Sequence, residues 1–175
     1  FSGCSASSAN HKTSGATPFM SGDPLQQLYQ DILLDHNKRP RHYGLLVQHS
    51  HHAEGYNPLC GDRMELTLQL EGDRITDAGF EAAACAICQA SASIMTESLP
   101  GKSLAEVAQL EARMQSLLED KETTDPEADG DLAALAGVSQ FPARIKCATL
   151  PWHTFKRSLK QETGGDHDLG AAQTE

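Results

Sequence analysis

Aromatic side chains are scarce in this sequence, at 5% of 175 residues with a single Trp. Hydrophobic residues reach 39%, enough for one compact core but not for a large aromatic-lined one. Apolar runs are short as well. None approaches the ~18 consecutive residues of a membrane helix, so no spanning segment is expected. Basic residues are outnumbered, 14 Lys and Arg against 24 Asp and Glu, for a net charge of −10. That balance argues against non-specific nucleic-acid binding, which depends on cations neutralising phosphates. The first nineteen residues hold no acid, no Arg and no apolar run, so they fit neither a signal peptide nor a transit peptide. Residues 1–22 are read as a disordered or non-native leader.

The negative charge is concentrated. Residues 119–131 carry seven acids and one Lys, and 161–175 carry four acids and no Lys or Arg. What remains is close to neutral, so the expected organisation is a globular domain over 23–160 with an acidic loop and a disordered acidic tail over 161–175. The five cysteines are Cys4, Cys60, Cys85, Cys88 and Cys147. An odd number without a secretory signal points to a reducing compartment, hence a cytoplasmic protein, where Cys serves more often as ligand or nucleophile than in a disulfide.

Asp23-Pro24 predicts a helix start, and Leu25, Leu28, Tyr29, Ile32 and Leu33 continue it at helical spacing to about Asn37. Residues 45–56 are ambiguous, with a strand beginning near Leu45 or Ala53 as one reading, and His49, His51 and His52 are taken as a solvated loop. Met64, Leu66, Leu68 and Leu70 alternate with polar residues, which predicts a strand. Glu71-Gly72-Asp73 then turns the chain into a second strand over Arg74–Glu81. A helix is expected from Cys85 to Leu99. Ser103 and Glu106 form a capping box for another, which runs to about Leu118. After the acidic loop come a short helical turn at Leu132–Leu135 and a last helix opened by Phe141-Pro142, with a kink or break at Pro151. Helix, antiparallel strands, then helices is an α+β order.

Cys60 stands in a tight Pro/Gly-bounded loop, two residues before Asp62. Cys85 stands at a helix start, where the dipole favours a thiolate. Cys147 lies three residues after Arg144, so the two share a helix face. Three thiolates and a carboxylate make a plausible tetrahedral zinc set. Their separations of 2, 23 and 62 residues match no local zinc-finger spacing, and for each Cys alone a small buried hydrophobe is the commoner fate. Cys88, one turn from Cys85, is expected to pack inward.

Several segments carry a resemblance. They are Leu28-Tyr29, Asp35-His36 through Pro40-Arg41, Asn57-Pro58-Leu59-Cys60-Gly61-Asp62-Arg63, Phe80 through Cys85 with Ala90-Ser91-Ala92-Ser93, and Phe141-Pro142-Ala143-Arg144-Ile145-Lys146-Cys147-Ala148-Thr149-Leu150-Pro151-Trp152. Together they resemble the U-type iron–sulfur cluster assembly proteins. Lys146 stands where the scaffold branch usually has His, and the acidic segment around 119–135 fits an insertion of the SufU branch. The resemblance implies a SufE/NifU-like α+β fold and a zinc ion on Cys60, Asp62, Cys85 and Cys147. It also implies a SufS-type cysteine desulfurase as partner and a downstream iron–sulfur assembly complex. On this reading Cys60 accepts persulfide sulfur with Arg144 in support, and Arg63 is a further candidate cation. The alternative is a scaffold that builds a [2Fe–2S] cluster on the same residues, since clusters also take thiolates. A zinc hydrolase fits poorly because four protein ligands leave no position for water, and a purely structural site would favour Cys and His over Asp.

Overall fold

The alternating segment around Met64 becomes the middle of a sheet. In chain order the elements are α1 (Pro24–Lys38), β1 (His51–Asn57), β2 (Asp62–Glu71), β3 (Arg74–Ala83), α2 (Ala86–Ser98) and α3 (Leu104–Leu118). A short α4 (Pro126–Asp129), a 3₁₀ helix (Gly130–Gln140), α5 (Pro142–Lys160) and a two-residue strand β4 (Ala172–Gln173) follow. The sheet order is β3-β2-β1-β4. β1, β2 and β3 are antiparallel, and β4 lies parallel to β1 at Gly55 and Tyr56. The structure is a computed structural model and describes residues 24–119 and 123–161, with the backbone of 172–173. The expected α+β order is the observed one. The leader 1–22, the Asp23 cap and most of the acidic tail lie outside the described residues; β4 is a pairing that the sequence did not suggest.

One face of the sheet forms the core. Met64, Leu66 and Leu68 of β2 and Ile75, Ala78 and Phe80 of β3 cluster with Cys88, Ala92 and Met95 of α2 and with Ala148, Leu150 and Trp152 of α5. Leu66, Leu68 and Phe80 are fully buried, each contributing roughly 1.5–3 kcal/mol by leaving water. The capping box of α3 forms in both directions, Glu106 N–H to Ser103 Oγ and Ser103 N–H to Glu106 Oε2. Of the kink or break expected at Pro151, the break does not occur: α5 runs through it. Pro151 is buried there, so packing on the core holds a helix that propensity alone would interrupt.

The region 45–56 resolves into β1 from His51 onward. His51 and His52 are therefore strand residues and not a solvated loop: His51 is buried, and His52 faces Glu65 at 3.8 Å. The buried face of β1 is His51, Ala53, Gly55 and Asn57, a set with almost no hydrophobic signal. Gly55 is there for a steric reason. A Cβ at that position would come within 2.0 Å of Thr154 Oγ1 on α5, so its absence sets how closely α5 lies on β1. Gly55→Ala is expected to destabilise the fold by about 1–3 kcal/mol, read as a lower urea midpoint at unchanged slope.

The acidic stretch is also more ordered than expected. Asp125 caps α4 by accepting from the N–H groups of Glu127 and Ala128, and the helical turn expected at Leu132–Leu135 lies within the 3₁₀ helix, which buries Leu132, Ala133, Ala134, Leu135 and Val138. Two of the acids have fixed partners. Asp129 is gripped by Arg113 through Nε at 2.7 Å and Nη2 at 2.8 Å. Asp131 Oδ2 lies 2.8 Å from Nε2 of the buried His36, whose Nδ1 is 2.7 Å from Ser93 Oγ. Ser93 Oγ also accepts the Arg41 N–H. The negative charge that reads as solvated is partly neutralised inside the fold.

The Arg113 hydrogen bonds hold the Asp129 carboxyl below the usual carboxylate range, against the opposing effect of burial. A lowered folded-state pKa contributes stability that is fully present above the unfolded value, near 3.9 for Asp, and lost as pH falls through the folded value. Asp129→Asn is expected to cost about 1.5–3 kcal/mol at neutral pH. The deficit should shrink on acidification below about pH 4, measured by denaturant titration at several pH values.

Candidate metal centre

β1 ends at Asn57 and β2 begins at Asp62, its register partner, so the turn between them projects from one end of the sheet. Pro58, Leu59, Cys60 and Gly61 form that turn, and Gly61 takes a φ of 70°, a left-handed conformation suited to a residue without a Cβ. Cys60 is exposed at its tip. Asp62 points inward and is 1% exposed. Cys85 is the N-cap of α2 with extended backbone angles. Its N–H donates to Asp62 Oδ1 at 2.8 Å, and its Sγ lies 3.7 Å from Asp62 Oδ2. Cys147, fully buried on α5, points its sulfur at the same place, 3.1 Å from Cys60 Sγ.

The residues singled out in the sequence therefore converge from a turn, a strand start, a helix start and a distant helix. The ligand atoms of Cys60, Asp62 and Cys147 all lie within 4.8 Å of one another, and Cys85 adjoins Asp62. Ligands of a tetrahedral zinc, with bonds near 2.3 Å to sulfur and 2.0 Å to oxygen, stand about 3.8 Å apart for two sulfurs and about 3.5 Å apart for sulfur and oxygen. The 3.7 Å between Cys85 and Asp62 matches that span. The 3.1 Å sulfur pair needs only a small opening.

The chemistry of the set also fits a cation. Burial pushes the Cys147 thiol well up, and hydrogen bonding with Cys60, Asp62 and Cys85 adds to this. Three thiols and a carboxylate cannot all carry charge in so small a space without a compensating positive centre. Arg144 supplies part of it. Its guanidinium lies near the sulfurs of Cys147, Cys85 and Cys60, and their proximity keeps it firmly protonated. Arg63 takes a different place, 5.1 Å above the Tyr56 ring, where cation–π contact holds it. Cys88 is fully buried, and burial pushes its thiol up as well, in keeping with inward packing.

Two other groupings among the described residues could in principle hold an ion, His36 with Glu97 and Asp131, and His52 with Glu54 and Glu65. Neither contains a thiolate, and both ring nitrogens of His36 already have hydrogen-bond partners. Sequence reasoning missed Asn57 as part of the centre. It is fully buried, and its Nδ2 lies 3.7 Å from Cys147 Sγ. The available signal was a polar residue at the inward position of an alternating strand.

The chain is similar to known proteins in both sequence and fold. Residues 28–148 match the NifU-like N terminal domain. Over 142 residues it is 42% identical to a zinc-dependent sulfurtransferase SufU of Bacillus subtilis, covering 81% of this chain and 96% of that protein. It is 36% identical over 148 residues to an iron–sulfur cluster assembly scaffold protein IscU of Streptococcus pyogenes, covering 85% and 92%. Among solved structures, a SUF-system cluster assembly scaffold protein of Fervidobacterium islandicum superimposes with a TM-score of 0.69 at 31% identity, over 77% of this chain and 98% of that one. With one family spanning most of its length, and with the Cys60, Asp62, Cys85 and Cys147 cluster at the end of its sheet, the chain belongs to the NifU-like N-terminal domain family, in the SufU branch of the iron–sulfur cluster assembly proteins.

Proposed function

We propose that the protein is a zinc-dependent sulfur acceptor, taking persulfide sulfur from a SufS-type cysteine desulfurase and passing it to a downstream iron–sulfur assembly complex. One observation carries the reading: a single exposed thiol, Cys60, stands on a cluster whose other donors are buried or half-buried. A sulfur acceptor has to be reachable by a partner, and its supporting groups do not.

Zinc bound by Cys60, Asp62, Cys85 and Cys147 would keep the thiols deprotonated near neutral pH and protect them from oxidation. The chain's own residues do the rest. Asp62, hydrogen-bonded to the Cys85 N–H, fixes the start of α2 against the start of β2. Arg144 places a permanent positive charge beside the thiol cluster, where it favours the thiolate form. In the transfer itself, the Cys60 thiolate attacks the terminal sulfur of the partner's cysteine persulfide. A sulfur–sulfur bond forms at Cys60 as the one in the partner breaks, and the partner's cysteine leaves as a thiolate. The terminal sulfur keeps its proton, and no outside oxidant or reductant is consumed. Leu59, beside Cys60, and Phe141, at the start of α5, are both large and exposed, which suits an apolar rim for partner docking. The protein is on this reading a relay that stimulates another enzyme.

The test is elemental analysis with an absorption spectrum of the anaerobically purified protein. One zinc per chain and no visible absorbance is the expected result. Brown protein containing iron and labile sulfide would instead favour a scaffold for a [2Fe–2S] cluster on the same residues.

A further inference from the structure

The four donors of the centre do not explain why one sulfur is held while another is free to react. Asn57 does. It closes β1, is fully buried, and uses both ends of its amide. Its Oδ1 accepts the Leu59 N–H at 3.1 Å, inside the turn that carries Cys60, and its Nδ2 donates to Cys147 Sγ at 3.7 Å. The Leu59 donor fixes the orientation of the amide, because only oxygen can accept there. The nitrogen is therefore the end that faces the sulfur. A buried amide costs several kcal/mol of lost hydration unless both ends are bonded, and here the two bonds go to the two elements whose sulfurs meet.

The consequence is an asymmetry between the sulfurs. Cys147 receives the Asn57 N–H, and a hydrogen bond to a charged acceptor is about twice as strong as a neutral one. Among the described residues no amide donor of this kind is aimed at Cys60, whose contact at the centre is with Cys147. We propose that Asn57 is a positioning residue of the thiolate centre, holding the Cys60 turn through Oδ1 and stabilising charge on Cys147 through Nδ2, so that Cys147 stays a ligand and Cys60 is the thiol that reacts. The role in sulfur transfer rests on the function proposed above; the hydrogen bond to sulfur can be tested without it.

Two variants separate the two jobs. Asn57→Ser keeps an oxygen that can accept the Leu59 N–H but removes the donor to Cys147, and Asn57→Ala removes both. The probe is Co²⁺ in place of zinc, with zinc affinity measured by chelator competition. Loss of an N–H···S bond raises the energy of the sulfur lone pairs, so the sulfur-to-cobalt charge-transfer band of both variants should move to longer wavelength. Zinc affinity should fall about 10-fold or more, as it does when groups supporting metal ligands are lost. A band at the wild-type wavelength, with affinity within about twofold in Asn57→Ser, overturns the proposal. If Asn57→Ala fails to fold, Asn57→Ser alone decides. Wild-type protein that binds neither ion stoichiometrically would sink the zinc reading itself, a different failure from an unmoved band in a metal-loaded variant.

Discussion

Cys60→Ser is expected to reduce stimulation of the cognate desulfurase to the rate of the desulfurase alone. A serine hydroxyl is not ionised near neutral pH and does not displace a thiolate from a persulfide, a reaction that requires an attacking thiolate. The other cysteines separate by cause. Cys85→Ser and Cys147→Ser should also lose stimulation, but with loss of zinc, since hydroxyl is a poor ligand beside thiolate. Cys88→Ser should keep stimulation within about twofold, because the buried Cys88 sulfur packs in the core and the cluster is complete without it. Cys4→Ser should be silent. The assay is sulfide release from cysteine, with zinc content measured on every variant. Full stimulation by Cys60→Ser would remove Cys60 from the role of acceptor.

Chelation of the metal is expected to lower the melting temperature by about 10 °C. The donors come from the β1–β2 turn, the start of β2, the start of α2 and the middle of α5, so an ion there joins segments far apart in sequence. Binding that favours the folded state by about 4 kcal/mol corresponds to zinc at about 1,000 times its dissociation constant. In a chain of this size each kcal/mol moves the midpoint by roughly 2–4 °C. Asp62→Ala should reproduce much of the loss, because Asp62 is also the acceptor for the Cys85 N–H. An unchanged melting curve after confirmed zinc removal would mean that the ion is not part of what holds α5 to the sheet.

What the sequence disclosed follows from where hydrophobic alternation and local chemistry coincide. β2 was legible because Met64, Leu66 and Leu68 face the core while Arg63, Glu65 and Gln69 stay more exposed. α3 was legible because its cap is local to Ser103 and Glu106. β1 was not, because its inward positions are held by His51, Gly55 and Asn57 for steric and hydrogen-bonding reasons that involve other elements. The acidic segment misled because charge predicts solvation only while it is unpaired. Asp129 and Asp131 find Arg113 and His36, which lie 16 and 95 residues away in sequence. The centre itself was half legible. Each thiol stood in a suggestive local setting, but with donors 23 and 62 residues apart, nothing in their spacing showed that they meet. Family resemblance supplied the set, and the fold shows the four residues gathered at one end of the sheet.

The most direct test of the account is to find the transferred sulfur. The protein is incubated with the desulfurase and cysteine without reductant, digested under non-reducing conditions, and mapped by mass spectrometry. The account predicts one extra sulfur on the peptide containing Cys60 and none on those containing Cys85, Cys88 or Cys147. Extra sulfur on Cys147 or Cys88, with Cys60 unmodified, would contradict it.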